Sequence, residues 1–322
     1  MKKILIVGAG GQIGSELVPH LRSIYGNSNV VAADISAEKC KALAEAGPFE
    51  ELNALDGEGF SAIVKKYNID TIFNLVALLS ATGEKNPKLA WDINIGALTN
   101  SLYIAKDNNC AVFTPSSIGA FGNDTPKDKT PQDTLQRSNT TIYGVCKVTG
   151  ELLSDYYFNR FGVDTRSVRF PGLISYVTLP GGGTTDYAVE IYYDAIRKGS
   201  FTCNVKAGTY MDMMYMPDAL NAVVQLMEAD PSKLKHRNSF NIASMSFEPE
   251  QIAAEIRKHL PDFKMDYQID PVKQAIADSW PNSMDDTCAR EEWGWAPKYD
   301  LTSMTNDMLI KVKEKFDKGL IK

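Results

Sequence analysis

Hydrophobic residues follow two alternating rhythms along the first half of the chain. The runs "KKILIVG", "NVVAADI", "DTIFNLVA", "CAVFTPSS" and "VDTRSVRF" are apolar almost throughout rather than at every second position. Such runs predict strands buried on both faces of a parallel sheet. Between them, over 12–25, 57–67, 86–107 and 141–161, apolar residues recur at helical spacing. Strand and helix in this cadence predict right-handed crossovers and an α/β fold, a Rossmann-type doubly wound parallel sheet. Gly162, after "NRF", is placed to stop the last of these helices.

Beyond about residue 171 the rhythm loosens. "PGLISYVTLPGGGTTDYA" is rich in Gly, Pro and Thr and predicts an ordered loop feeding a helix over 185–198. A strand "MDMMYM", a helix from Pro217, a strand "SFNIA" and a helix–strand unit over 248–269 follow. A polar segment near "SWPNSMDD" precedes the final helix, and no low-complexity linker divides the chain. The expected organisation is a dinucleotide-binding domain over 1–171 that also receives segments from about 210–245. Residues 172–322 would mainly form a smaller substrate-binding lobe, interleaved with the first domain and grown from the C-terminal ends of the strands.

With 322 residues, 44% of them hydrophobic, the chain can bury a sizeable core. The net charge of −6 comes without a basic stripe, which argues against a nucleic-acid partner. The apolar run in "MKKILIVGAGG" is too short for a signal-peptide core or a membrane span, so no membrane partner is expected. Cys40, Cys110, Cys146, Cys203 and Cys288 form no CxxC pair, which fits reduced thiols in the cytoplasm. His20, His236 and His259 are isolated and offer no zinc-ligand spacing, so catalysis is expected to proceed without a bound metal.

"VGAGGQIG" follows the first strand directly and opens a helix, with Gly8, Gly11 and Gly14 at three-residue steps. Glycine is needed where the backbone turns sharply, where a diphosphate approaches the main chain, and where the helix packs on the strand. The helix amino end then offers N–H groups and partial positive charge to that diphosphate. Asp34 ends the next strand, where a carboxylate can accept both ribose hydroxyls of NAD and would repel the 2′-phosphate of NADP. "DISAEK" puts no Arg or Lys immediately after it, which favours NAD; the competing role for Asp34 is an N-cap on a helix beginning near Ser36. The spacing also predicts Asp56, after the third strand, near the adenine.

In "YGVCK", Tyr143 and Lys147 share one helix face. A free phenol titrates near ~10, and accepting a proton near neutrality needs roughly ~4 kcal/mol of help. An exposed ion pair supplies only ~0.2–1 kcal/mol. The pair therefore makes chemical sense only in a partly dry cleft beside a second positive charge, which an oxidised nicotinamide would provide. The run "FTPSSIGAFG" places Ser116 and Ser117 at a strand end, where either hydroxyl could bond a reacting oxygen.

On "GAGGQIG", Asp34, "NLVA", "PSSIGAFG", "YGVCK" and "WGWAPKYDL" the chain resembles the extended short-chain dehydrogenases/reductases, the group that includes UDP-galactose epimerase. The resemblance implies a catalytic set of Ser117, Tyr143 and Lys147, with Asn94 shaping the wall of the site. It extends the cofactor contacts to Gln12, Ile13, Ile35, Leu55, Leu75, Ala77 and Phe170. Nucleotide-sugar members usually carry an arginine in an R-D-x-x-h-V-x-D stretch; here "YMDMMYMPD" keeps Asp212 but has Met211 in the arginine position. A thioether cannot pair with a diphosphate.

"PGGGTTDYA" offers consecutive glycine N–H groups and the hydroxyls of Thr184 and Thr185, a corner suited to a small carboxylate. With "PSSIGAFG" and "MMYMPDA", it resembles the metal-independent L-threonine 3-dehydrogenases, which oxidise the β-hydroxyl of L-threonine to 2-amino-3-oxobutyrate. The resemblance implies that Ser80 and the Gly183–Thr185 corner hold the amino acid while Trp280 closes over it. The helices over 86–107 and 141–161 are apolar on more than one side, through Leu89, Trp91, Ile93, Leu98 and Leu102, then Leu152, Leu153, Tyr156 and Phe161. That excess predicts a homodimer joined through these helices.

Overall fold

The computed structural model describes residues 1–135, 138–179 and 181–321. Six parallel strands form the central sheet: β1 (Ile4–Val7), β2 (Val30–Asp34), β3 (Phe49–Glu51), β4 (Thr71–Asn74), β5 (Ala111–Phe113) and, beyond a short β6 (Ser116–Ser117), β7 (Thr165–Arg166). Their order is β3-β2-β1-β4-β5-β7, with Ile4 beside Val30 on one side and Thr71 on the other. Alternate residues of β1 enter different cores. Ile4 and Ile6 pack with Leu17, Val18 and Leu21 of α1 (Gly14–Tyr25), while Leu5 and Val7 join Phe60 and Val64 from the far side. Both faces are covered, which is why the strands are apolar without alternation.

Helices α2 (Lys41–Ala46), α3 (Gly57–Tyr67), α4 (Ser80–Gly83), α5 (Pro87–Asn108) and α6 (Ile142–Phe161) complete the first half. Asn86 caps α5 by accepting from the Leu89 amide, with Pro87 in the first turn. Thr141 caps α6 by accepting from Gly144 N at 3.0 Å, and Gly162, at φ 72°, ends it where the sequence places the stop.

Two expected strands are each broken in two. "CAVFTPSS" stops at Phe113 and resumes as β6, because Pro115 has no N–H to give a ladder. "VDTRSVRF" divides at Ser167, and β8 (Val168–Phe170) pairs with β6 rather than β5. The sheet therefore steps sideways at the level of Ser116 and Ser117. The later strands are β9 (Gly172–Ile174), β10 (Ser200–Cys203), β11 (Met211–Tyr215), β12 (Phe240–Asn241), β13 (Met245–Phe247) and β14 (Lys264–Tyr267). The later helices are α7 (Tyr187–Lys198), α8 (Met216–Glu228), α9 (Pro249–His259), α10 (Pro271–Ser279), α11 (Thr287–Trp293) and α12 (Leu301–Asp317).

Later segments return to the first core. Strand β12 pairs with β8, and Met214, Ala219, Val223, Phe240, Ala289 and Trp295 pack with Ile4 and Phe113. A separate cluster of Tyr187, Tyr192, Met211, Phe247, Ile252 and Met308 forms the second lobe. Helix α7 starts at Tyr187, two residues later than predicted, because residues 184–186 form a turn. Helices α10 and α11 went unseen in the sequence; Asp270 caps the first by accepting from Val272 N and Lys273 N. The edge strand β3 is half-exposed, so it lacks the apolar run of its neighbours.

Candidate active site

The turn between β1 and α1 shows why three glycines are needed. Gly8 adopts φ 88°, and a Cβ on Gly14 would lie 2.4 Å from Gly8 O and 2.7 Å from Ala9 Cα. No side chain caps α1, which leaves its amino end open to an anion. Beside this turn runs a groove of about 1150 Å³ lined by Gly8, Gly10, Gly11, Asp34, Ile35 and Leu55. Leu75 and Ala77 continue it into a second cleft of about 820 Å³ that holds Ser117, Tyr143 and Lys147.

Asp34 does not cap a helix, because residues 37–40 form turns. Its carboxylate accepts from Gly10 N at 2.8 Å and Ser36 N at 2.9 Å, which fixes it at the end of the groove. Asp56 does not line the groove; its Oδ1 caps α3 by accepting from Gly59 N at 3.0 Å. Lys39, five residues beyond Asp34, does line it, and sequence reading missed it. Gln12, Ile13 and Phe170 line the second cleft.

Tyr143 and Lys147 stand as their spacing requires. The Lys147 ammonium lies 5.3 Å from the Tyr143 ring centroid, and its Nζ donates to Pro115 O at 2.6 Å. The two serines part company. Both border the cleft with Tyr143, but Ser116 Oγ donates to the buried Glu151, whereas Ser117 Oγ accepts from Gly119 N at 3.1 Å. Behind them Arg169 donates to both oxygens of Glu151, at 3.0 and 2.9 Å, and its Nη1 donates to Gln132 O and Asn241 Oδ1. Neither Glu151 nor Arg169 was singled out from the sequence. The signal was an arginine inside the apolar run "SVRF", which can be buried only with a partner. Asn94 Oδ1 accepts from Leu78 N at 2.7 Å and its Nδ2 donates to Leu78 O, so it positions the strand-end loop that walls the cleft.

Across from Tyr143 stand Ser80, Gly183, Thr184, Thr185 and Trp280. Ser80 Oγ and Thr184 Oγ1 are 3.4 Å apart. The glycine amides are not free for an anion, contrary to expectation. Gly182 N and Gly183 N donate to Asp186 Oδ2 at 2.9 and 2.8 Å. Burial pushes the Asp186 carboxyl up to about 6, against the pull of those two amides. Trp280 lines the cleft and is buried with Ile118, Phe121, Ile276 and Met284, and its Nε1 has no partner among the described residues. Met211 lies in the core of the second lobe, and burial holds the neighbouring Asp212 carboxyl well above the usual range. Among the lining residues of the second cleft, Lys147 is the one cation.

The sequence of residues 4–243 matches the model of the NAD dependent epimerase/dehydratase family. The chain belongs to that family. A glycine turn packed too closely for a Cβ on Gly14, an uncapped helix amino end beside it, and the fixed Asp34 carboxylate fit the NAD such enzymes use. An epimerase/dehydratase of Staphylococcus haemolyticus, described as uncharacterized, is 58% identical over 98% of this chain and 99% of its own. The solved L-threonine dehydrogenase from Clostridium difficile is 57% identical, with a TM-score of 0.96 over 98% of each chain. The holo form of a GalE-like L-threonine dehydrogenase from Cupriavidus necator is 47% identical, with a TM-score of 0.93 over 96% of this chain and 99% of that one. In fold and cofactor the chain is thus an NAD-dependent enzyme of the extended short-chain dehydrogenase/reductase type. None of its described helices is long and apolar enough to cross a membrane.

Proposed function

We propose that the enzyme oxidises the β-hydroxyl of L-threonine, giving 2-amino-3-oxobutyrate and NADH. One observation carries this reading: the largely apolar cleft beside Tyr143 offers small hydroxyl side chains, with Lys147 as its single cation and Asp186 as its acid. A nucleoside-diphosphate sugar needs cations at its diphosphate, and Met211, in the position of the usual arginine, is buried elsewhere. A small zwitterion needs only short hydrogen-bonding groups. The likeness to solved L-threonine dehydrogenases supports the same choice.

NAD held along Gly8, Gly11, Asp34 and Leu75 would supply the hydride acceptor. Tyr143 takes the hydroxyl proton as the carbonyl forms, with the Lys147 ammonium beside its ring. Ser117 bonds the reacting oxygen, while the Glu151–Arg169 pair and Ser116 hold that strand end in register. Ser80, Thr184 and Thr185 orient the amino acid, and Trp280 excludes water from the inner wall. Purified protein given NAD and L-threonine should form NADH with aminoacetone as the decarboxylated product. No NADH, with turnover of a UDP-sugar instead, would overturn the reading.

The exposed apolar residues of α5 and α6 support a homodimer. Leu98 and Leu102 are buried against the sheet, and Leu89 lines the cofactor groove, so these do not contribute. Trp91, Tyr103, Leu152, Tyr156 and Phe161 remain exposed together along the paired helices. Covering that face with a second copy is the simplest way to remove it from water. Analytical ultracentrifugation should show a dimer that Leu152→Glu converts to monomer; a monomeric wild type at micromolar concentration would refute it.

A further inference from the structure

The fold brings together three metal-ligating side chains that are far apart in sequence. Cys288 and Glu292 stand four residues apart on one face of α11, and His236 lies in the segment leading into β12. One ligand atom from each lies within 4.8 Å of the others. We propose that His236, Cys288 and Glu292 bind a zinc ion, in a structural site separate from the cleft. A nitrogen, a thiolate and a carboxylate oxygen are the donor set that zinc accepts, with water as the fourth ligand. Ligand atoms around a tetrahedral zinc stand about 3.3–3.7 Å apart, given Zn–ligand lengths of ~2.0–2.3 Å. His236 Nδ1 and Glu292 Oε1 meet directly in a hydrogen bond, and the ion would part them to take its place between them.

Two features beyond proximity support the site. Each of two ligands already has an outer partner that orients it. His236 presents Nδ1 to Glu292 Oε1, while its Nε2 faces Asp133 Oδ1 at 3.3 Å, as a metal-bound imidazole uses its second nitrogen. Glu292 Oε2 accepts from the amides of Lys235 at 2.6 Å and His236 at 3.1 Å, which aims Oε1 at the cluster. The second feature is the set of carboxylates around the cluster: Glu292, Asp133, Asp285 and Glu291 all act on Cys288, and their charges attract a divalent cation. On binding, the Cys288 thiol releases its proton to solvent, and the thiolate with the Glu292 carboxylate neutralises the two positive charges. A protonated His236 shared between Glu292 and Asp133 would use the same pair but gives Cys288 no part.

No cleft-lining residue belongs to this cluster, so the inference is independent of the substrate and places zinc outside turnover. Its purpose would be to pin α11 to the segment before β12, at the edge of the first core, where Cys288 packs. The test uses the full chain, stripped with a chelator, desalted and titrated with zinc chloride by calorimetry, with metal content measured after gel filtration. One retained equivalent, with proton release that scales with the buffer, is expected. Cys288→Ser, close in size to the native residue, and His236→Gln should each weaken binding roughly 10–100-fold while NAD binding and turnover persist. Cobalt should give the wild type a thiolate charge-transfer band that Cys288→Ser lacks. No retained zinc, retention equal in both variants, or a cobalt spectrum without that band would each overturn the proposal.

Discussion

Glu16 sits in the first turn of α1, pressed against the second lobe. Ser175 Oγ donates to it at 2.5 Å, and the ammonium of Lys315 is engaged by the carbonyls of Tyr176 and Val177 at 2.5 and 2.7 Å. Burial raises the Glu16 carboxyl to about 7, outweighing the hydrogen bond from Ser175 and the charge of Lys315. The folded state therefore holds this proton more tightly than the unfolded chain, where the ordinary value of 4.5 applies. Its stabilising contribution is complete below 4.5 and is lost as pH rises through about 7. Between about pH 5 and about pH 8.5 the linkage amounts to roughly 2–3 kcal/mol. For 322 residues the unfolding entropy is about 0.7 kcal/mol per kelvin, so the effect is about 4 °C in Tm.

Glu16→Gln removes the titration and keeps a carbonyl oxygen for Ser175. The assay is thermal unfolding of wild type and variant in matched low-salt buffers at both pH values, without cofactor. Other titrating groups, Asp186 among them, are common to both proteins and cancel in the difference. The variant should gain about 4 °C relative to wild type on going from pH ~5 to ~8.5. A wild-type-to-variant gap of equal size at both pH values would show that Glu16 carries no shifted proton, and the argument from burial would be wrong.

Tyr143→Phe should lower kcat roughly 10²–10⁴-fold, the usual worth of a positioned proton acceptor, with NAD affinity by fluorescence titration unchanged. Undiminished turnover would remove the phenol from the chemistry. Asp34→Asn should raise the KM for NAD roughly 10–100-fold, since hydrogen bonds to a charged group contribute ~1.5–3 kcal/mol, and should narrow the preference over NADP. Steady-state kinetics with both cofactors would refute this by showing no change. Gly14→Ala should lower Tm and weaken NAD binding, because its methyl would sit 2.4 Å from Gly8 O. The strain is worth about 1–3 kcal/mol, and calorimetric stability matching wild type would mean the turn yields more freely than the packing indicates.

The parts of the site that sequence disclosed are those built from neighbours in the chain. Tyr143 and Lys147 are one helical turn apart, the three glycines share one turn, and Asp34 ends the strand beside it. Periodicity carries such information because a single element fixes the geometry. What stayed hidden depends on distant partners. Glu151 meets Arg169 across 18 residues and Glu16 meets Ser175 across 159, and no local pattern specifies either pairing. The glycine corner misled for a related reason. Asp186, which takes the amides of Gly182 and Gly183, reads in sequence as part of the helix start. Likewise, His236 looked isolated because its partners Cys288 and Glu292 lie more than fifty residues on.

The segment that follows β9 is held in an unusual way for its length. Tyr176 packs against the second-lobe core, but Val177 and Leu179 are exposed and gain little from apolar burial. Polar tethers do the holding instead: Lys315 grips the carbonyls of Tyr176 and Val177, Thr178 meets Ser15 at 2.9 Å, and Asp186 holds Gly182 and Gly183. Each such bond has a net worth of only ~0.5–1.5 kcal/mol, so together they fix a position without locking it. Ser15 and Glu16 belong to the first turn of α1, the same turn whose free amino end faces the cofactor groove. The hydroxyls of Ser15 and Ser175 thus tie that turn to residues 175–178 through hydrogen bonds.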